Sequence, residues 1–300
     1  MLSRLVCSKN NLFFAFIMAG YIFGVILYDF FEFKYTDELM VLFLCAFAGI
    51  MVWERKSWRE LVPLALVAVI FLFYTIYSFA IQSNVPRAII TDLLIQVKPF
   101  LGFYCAYIVA PQFTPSQKFF ICILCLIIGG LLVIIGVSDQ IYTVFTHPSR
   151  FATAAVATAF LFLCCSSYTW SDVLIFLFLL TVGFFSTRAK FYGFWAAVVC
   201  LVVFTQISGR IRFNWKSVMA GMLVCLFAVW FAREKIITYY IDGMMNSREM
   251  WSRPAMLYTS GQIFCDYFPF GCGLGSFGTF ASAEYYSPIY ETYGLNHIWG

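Results

Sequence analysis

Apolar residues run almost unbroken through nine stretches of the chain, at residues 11–28, 39–53, 61–81, 93–110, 119–137, 151–165, 172–185, 191–207 and 217–232. Short polar breaks separate them. A helix needs about 20 mostly apolar residues to cross the hydrocarbon of a bilayer. The pattern therefore predicts an all-α integral membrane protein with about nine transmembrane helices, several of them short and with loosely defined edges. The first stretch has no small-residue cleavage site behind it and reads as a retained anchor. After Arg233 the chain turns polar, glycine-bearing and rich in Tyr and Trp, with no further 20-residue apolar run. This divides it into a transmembrane bundle at 1–235 and a long loop at 236–300. No internal repeat or low-complexity tract interrupts either part.

Composition agrees with this reading. Of the 300 residues, 62% are hydrophobic and 11% charged, and the mean hydropathy is +0.86. Soluble domains are nearer half apolar and a quarter charged, so a water-soluble fold is excluded and lipid must cover much of the surface. Eight of the eleven cysteines (Cys45, Cys105, Cys122, Cys125, Cys164, Cys165, Cys200 and Cys225) lie inside apolar runs, where Cys packs as a small hydrophobe. Only Cys265 and Cys272 fall in the polar loop, where a disulfide between them is an option.

Charge sets the orientation. Short cytoplasmic loops collect Lys and Arg. With the N-terminus inside, the inner loops hold nine basic residues (Arg4, Lys9, Arg55, Lys56, Arg59, Lys118, Arg210, Arg212, Lys216) and the short outer loops five (Lys34, Arg87, Arg150, Arg188, Lys190). The first outer loop is acidic, with Asp29, Glu32, Asp37 and Glu38. The expected topology is N-inside, with 236–300 outside. The basic residues are thus sorted by membrane side, and the net charge of +4 does not indicate a nucleic-acid partner. Two features run against the pattern. Arg188 and Lys190 stand on the outer side, where insertion energetics would not place them. Lys98 falls within the fourth span and either faces a bundle interior or snorkels to the surface.

The outer loop carries the candidate chemistry. Ser252 and Pro254 predict a helix start, running to about Asp266 and stopping at Pro269. The glycines at 271, 273 and 275 follow no strand, so they are not a dinucleotide fingerprint. They serve either a sharp turn or a close backbone approach to a ligand. The tyrosines suit an interfacial belt or stacking on sugar rings. Arg248 and Arg253 in the loop, with Arg188 and Arg150 at outer helix ends, offer planar forks suited to phosphate oxygens.

These residues resemble the bacterial O-antigen ligase and O-antigen polymerase superfamily. Gly183-Phe-Phe-Ser-Thr-Arg188-Ala is similar to the start of that family's C-terminal half. Arg253, a short helix and Pro269-Phe-Gly-Cys-Gly-Leu-Gly-Ser-Phe277 resemble its second signature. The resemblance covers 140–300 in motifs and the remainder by topology. It implies a glycosyltransferase of the inner membrane, acting on the periplasmic face on an undecaprenyl-pyrophosphate-linked oligosaccharide. It assigns Arg188, Arg253, Arg248 and Arg150 to the pyrophosphate. His297 is a candidate base, as are Glu291 and Asp266, although His297 lacks the family's His-Asn context. No metal motif and no cofactor are expected; guanidinium groups would take the part a metal plays elsewhere. The run Tyr285-Tyr-Ser-Pro-Ile-Tyr-x-x-Tyr-Gly-Leu295 favours a polymerase over a ligase that transfers the glycan to lipid A–core. The implied partners are membrane lipids and a chain-length regulator or other polysaccharide assembly protein. Family members return through the membrane after the loop, so a chain ending at Gly300 is expected to be a truncated form. A transporter or lipid flippase is the reading from another class; it predicts inverted repeats and midplane charges.

Overall fold

A computed structural model of the chain describes residues 2–31, 35–208, 215–242 and 252–296. Every regular element among them is helical. Six helices are long and apolar enough to cross a membrane: Lys9–Ile26, Thr36–Arg55, Trp58–Ala80, Pro86–Val109, Pro115–Val137 and Pro148–Cys165. This is the pattern of a multi-pass membrane protein. The three remaining apolar stretches are also helical, but two of them, Trp170–Ser186 and Ala189–Val202, are shorter. The third is the helix Trp215–Ile236, whose sequence ends in Arg-Glu-Lys-Ile. The chain groups into two compact units, one built from Met1–Thr36 with Pro111–Lys235 and the other from Asp37–Ala110 with Ile236–Gly300.

In the first unit, α1 (Leu2–Tyr21) runs on through a π turn at Ile22–Ile26 to the short α2 (Tyr28–Phe31). Then come α6 (Pro115–Val137), α7 (Ile141–Val144), α8 (Pro148–Cys165), α9 (Trp170–Thr181), α10 (Ala189–Ser208) and α11 (Trp215–Ile236). Three starts are written in the sequence. Pro115 follows a Thr114–Gln117 capping box, Pro148 follows the N-cap His147, and Trp170 follows a Thr169–Asp172 capping box. Helix α8 packs between α6 and α9 and is the centre of the unit, with half of its residues buried. Its inner face is small: Ala152, Ala154, Ala155 and Ala159 let neighbouring backbones approach. Gly129 of α6 does the same towards α9, since a Cβ there would meet Leu179 Cδ2 at 2.2 Å. One polar pair lies in this core. Thr158 Oγ1 donates to the Ala154 carbonyl at 2.7 Å, so the Tyr21 hydroxyl is the donor across its own 2.7 Å contact with Thr158.

The second unit contains α3 (Thr36–Arg55), α4 (Val62–Ala80) and α5 (Pro86–Val109), followed by α12 (Ser252–Asp266), α13 (Phe280–Glu284) and α14 (Ile289–Thr292). The predicted loop helix is α12. Lys98 of α5 reaches Asp37 Oδ2 at 2.6 Å and Glu38 Oε1 at 2.7 Å in the first turn of α3, with its side chain 21% exposed. It is therefore neither stranded at midplane nor free at the surface. Arg55, at the other end of α3, donates to the Ile108 carbonyl of α5 at 3.0 Å. The two ends of the α3–α5 pair are thus both fastened by cations.

The segment after α12 is folded. Tyr290 and Leu295 close over Ala255 of α12 with Phe277, Tyr286 and Tyr293 around them. The Tyr290 hydroxyl accepts the Gly278 amide at 3.0 Å and pairs with Ser282 Oγ at 3.0 Å. Several tyrosines that suggested a belt or a sugar platform are therefore spent on a small aromatic core. Cys265 and Cys272 are both free thiols.

Candidate functional site

Two clusters of predicted residues emerge, one in each unit. In the first unit, one end gathers Asp29, the Thr146–Arg150 segment and Arg188. Asp29 follows the π turn of α1 and is nearly buried, with its side chain 6% exposed. It accepts the Thr146 amide at 3.1 Å and the Thr146 hydroxyl at 2.9 Å, and it forms an ion pair with Arg150. The Arg150 guanidinium also lies 4.4 Å from the centre of the Tyr28 ring. Arg150 is thus held on both faces.

His147 sits between these groups and Arg188. As N-cap of α8, its Nδ1 lies 3.2 Å from the Ser149 amide. The other ring nitrogen, Nε2, faces a guanidinium, which can only donate, so Nε2 is the acceptor there. That nitrogen stands 3.0 Å from Arg188 Nη2. Arg188 gets there because a 3₁₀ turn at Val182–Ser186 ends α9, and Thr187 at φ 51° turns the chain left-handed before α10. The result is a permanently charged guanidinium that gives one N–H to the His147 ring and keeps further N–H donors for an acceptor oxygen. Such a fork suits a phosphate or carboxylate.

In the second unit, the glycine-rich segment lies on the α4–α5 hairpin. Ser78 Oγ accepts the Leu274 amide at 2.8 Å, and Asp92 Oδ2 accepts the Gly275 amide at 2.7 Å. Asn84 donates to the Gly275 carbonyl at 2.7 Å, Ser83 to Leu274 at 2.9 Å and the Tyr77 hydroxyl to Gly271 at 2.8 Å. Ser78, Asn84 and Asp92 are all buried. The reason for glycine is visible at two positions. A Cβ at Gly273 would stand 2.8 Å from Ser83 Cβ, and one at Gly275 would stand 2.9 Å from the Ala88 backbone. Both have positive φ. The close approach the glycines permit is therefore made to the chain's own hairpin. Beside it opens a mostly apolar cavity of about 390 Å³, walled by Phe71, Tyr74, Gln96, Phe100 and Phe270.

Of the predicted site residues, the structure brings Arg188 and Arg150 to the same end of the first unit, both beside His147. Arg253 is exposed in the first turn of α12, in the second unit. Glu291 is exposed on α14. Asp266 accepts from the Tyr293 hydroxyl at 2.6 Å, and this bond to a carboxylate pushes the phenol up to about 12. Arg248 and His297 lie outside the described residues. His147 was not foreseen. Its signal was the order Thr146-His-Pro-Ser-Arg150, a capping residue ahead of a helix-starting proline, in a chain with only two histidines.

No protein-family model, curated protein or solved structure matches the chain.

Proposed function

We propose that the chain is a polysaccharide polymerase of the inner membrane, joining undecaprenyl-pyrophosphate-linked repeat units on the periplasmic face. In this reading all nine apolar stretches are embedded, the N-terminus is cytoplasmic, and the end of the first unit holding His147 and Arg188 faces the periplasm. The observation that carries the proposal is the 3.0 Å pairing of Arg188 with His147, with Arg150 one helical turn away. It holds the arginine singled out by the family resemblance in place through one N–H and leaves the rest of its fork for a phosphate oxygen.

The reaction would break the bond between the anomeric carbon and a pyrophosphate oxygen and form a new one from an acceptor hydroxyl oxygen. The electron pair leaves with the pyrophosphate. Arg188, positioned by His147, would stabilise that growing charge. A base would take the hydroxyl proton as the new bond forms. Arg150, bound to Asp29, would act mainly by fixing the start of α8.

The test is complementation of a strain that makes the matching repeat unit but lacks its polymerase. Wild type is compared with Arg188→Lys and Arg253→Lys, at matched membrane levels. Lys keeps the charge and loses the fork. A long lipopolysaccharide ladder from wild type that collapses to single repeats with Arg188→Lys supports the proposal. A ladder unchanged by either substitution removes both arginines from the mechanism. No ladder from wild type, with capped lipid A–core appearing instead in a ligase-deficient strain, replaces polymerase by ligase.

A further inference from the structure

At the opposite end of the first unit from His147, a second cavity of about 480 Å³ opens where three helix ends meet. Its walls are the start of α6 (Pro115, Lys118, Phe119), the end of α8 (Phe162, Cys165, Ser166) and the first turn of α9 (Asp172). Polar and apolar surface are balanced in it. The polymerase reading makes no use of it.

Its two charged residues have opposite signs and are incompletely used. Asp172 closes the capping box of α9, and Oδ2 takes both the Thr169 amide at 3.0 Å and the Ser167 amide at 3.1 Å. Among the described residues no hydrogen bond reaches its Oδ1. The Lys118 ammonium makes no hydrogen bond or ion pair to any described residue. A simple anion entering the cavity would be drawn to Lys118 but repelled by Asp172; a simple cation would meet the reverse. A molecule carrying both signs satisfies both.

We infer that this cavity binds the head group of a zwitterionic phospholipid with a free ammonium, its phosphate at Lys118 and its ammonium at Asp172 Oδ1. The location selects the source. Helices α6 and α8 are both long and apolar enough to cross a membrane, so their ends lie at head-group depth. Phe113, Phe119 and Phe162 line the apolar side, where the glycerol and upper acyl carbons would lie. A primary ammonium is favoured over a quaternary one because it can donate to the carboxylate oxygen, whereas a trimethylated nitrogen has no hydrogen to give.

The experiment is native mass spectrometry of the purified protein, offered phosphatidylethanolamine, phosphatidylcholine and phosphatidylglycerol at equal mole fraction. Wild type is expected to retain phosphatidylethanolamine over each of the others by about fivefold, about 1 kcal/mol. Lys118→Gln should abolish that preference. Asp172→Asn keeps an oxygen for the capping box and should switch the preference to phosphatidylglycerol. Equal retention of the three lipids by wild type overturns the inference, and so does a phosphatidylethanolamine preference unchanged in both variants. The wild-type comparison stands whether or not a variant folds.

Discussion

Asp92 of α5 accepts the amide of Gly275 at 2.7 Å, across 183 residues of sequence. The same oxygen takes the Gln96 side-chain amide at 2.9 Å. One carboxylate, 2% exposed, thereby fixes where the glycine segment meets the α4–α5 hairpin. Asp92→Ala leaves a buried amide without an acceptor and is expected to destabilise the protein by about 2–3 kcal/mol. Asp92→Asn keeps an acceptor oxygen and should lose clearly less. Thermal melting in detergent, with limited proteolysis of residues 267–279, distinguishes the two; equal melting of Ala and Asn variants would contradict the role.

The glycines should differ in tolerance. Gly271→Ala meets no atom within 4 Å and bears only the strain of φ 77°, about 1–2 kcal/mol. Gly275→Ala bears the same kind of strain and also drives a methyl against the Ala88 backbone at 2.9 Å, so it should reduce folded protein far more. Comparing the monodisperse yield of the two variants after extraction checks the order.

The two arginines beside His147 should fail in different ways. Removing Arg150 leaves Asp29 nearly buried without its cation. Because the guanidinium is 43% exposed, the expected loss is only about 1–2 kcal/mol, seen as lower membrane abundance of Arg150→Gln. Arg188→Gln should leave abundance unchanged and, on the polymerase reading, cut polymer formation by about 100-fold or more. Immunoblots beside the ladder assay separate these outcomes.

Tyr293 supplies a pH dependence. Its phenol is pushed from 10.0 up to about 12, chiefly by the bond to Asp266. A raised pKa means that the fold holds this proton more tightly than the unfolded chain does. The stabilisation is therefore complete below about pH 10 and disappears as pH rises through about 12. Subtracting the phenolate absorbance of Tyr293→Phe from that of wild type should reveal one tyrosine titrating near the upper value. A difference that titrates near 10 would remove the Asp266 bond.

Much of the helical pattern was legible because a long apolar run has few alternatives to helix in lipid. The loop helix was legible from Ser252 and Pro254, while Pro115 and Pro148 start their helices a few residues ahead of the apolar runs read from 119 and 151. What stayed hidden was long-range. Asp29 reads as one more acid in a polar loop until α8 brings Arg150 to it. Ser78, Asn84 and Asp92 look like incidental polar positions beside an apolar run, because their partners are two backbone N–H groups and a carbonyl some 180–200 residues away. The glycines were recognised as allowing close approach, but the sequence does not say to what. His147 was masked by its short range: a cap is local, and its neighbour Arg188 lies 41 residues on.

The seat of the glycine segment also has a consequence for synthesis. A ribosome releases α4 and α5 into the membrane long before it reaches Gly271. Through that interval Ser78, Asn84 and Asp92 have no backbone partner from the later segment, and a hairpin with polar groups left unmatched in this way is a less stable one. Chains stopped ahead of Gly271 should be cleared quickly, in minutes where the full chain persists, and pulse labelling of both lengths would measure it. Residues 271–276 would then serve as a completion mark, telling the cell that a hairpin made much earlier is fit to keep.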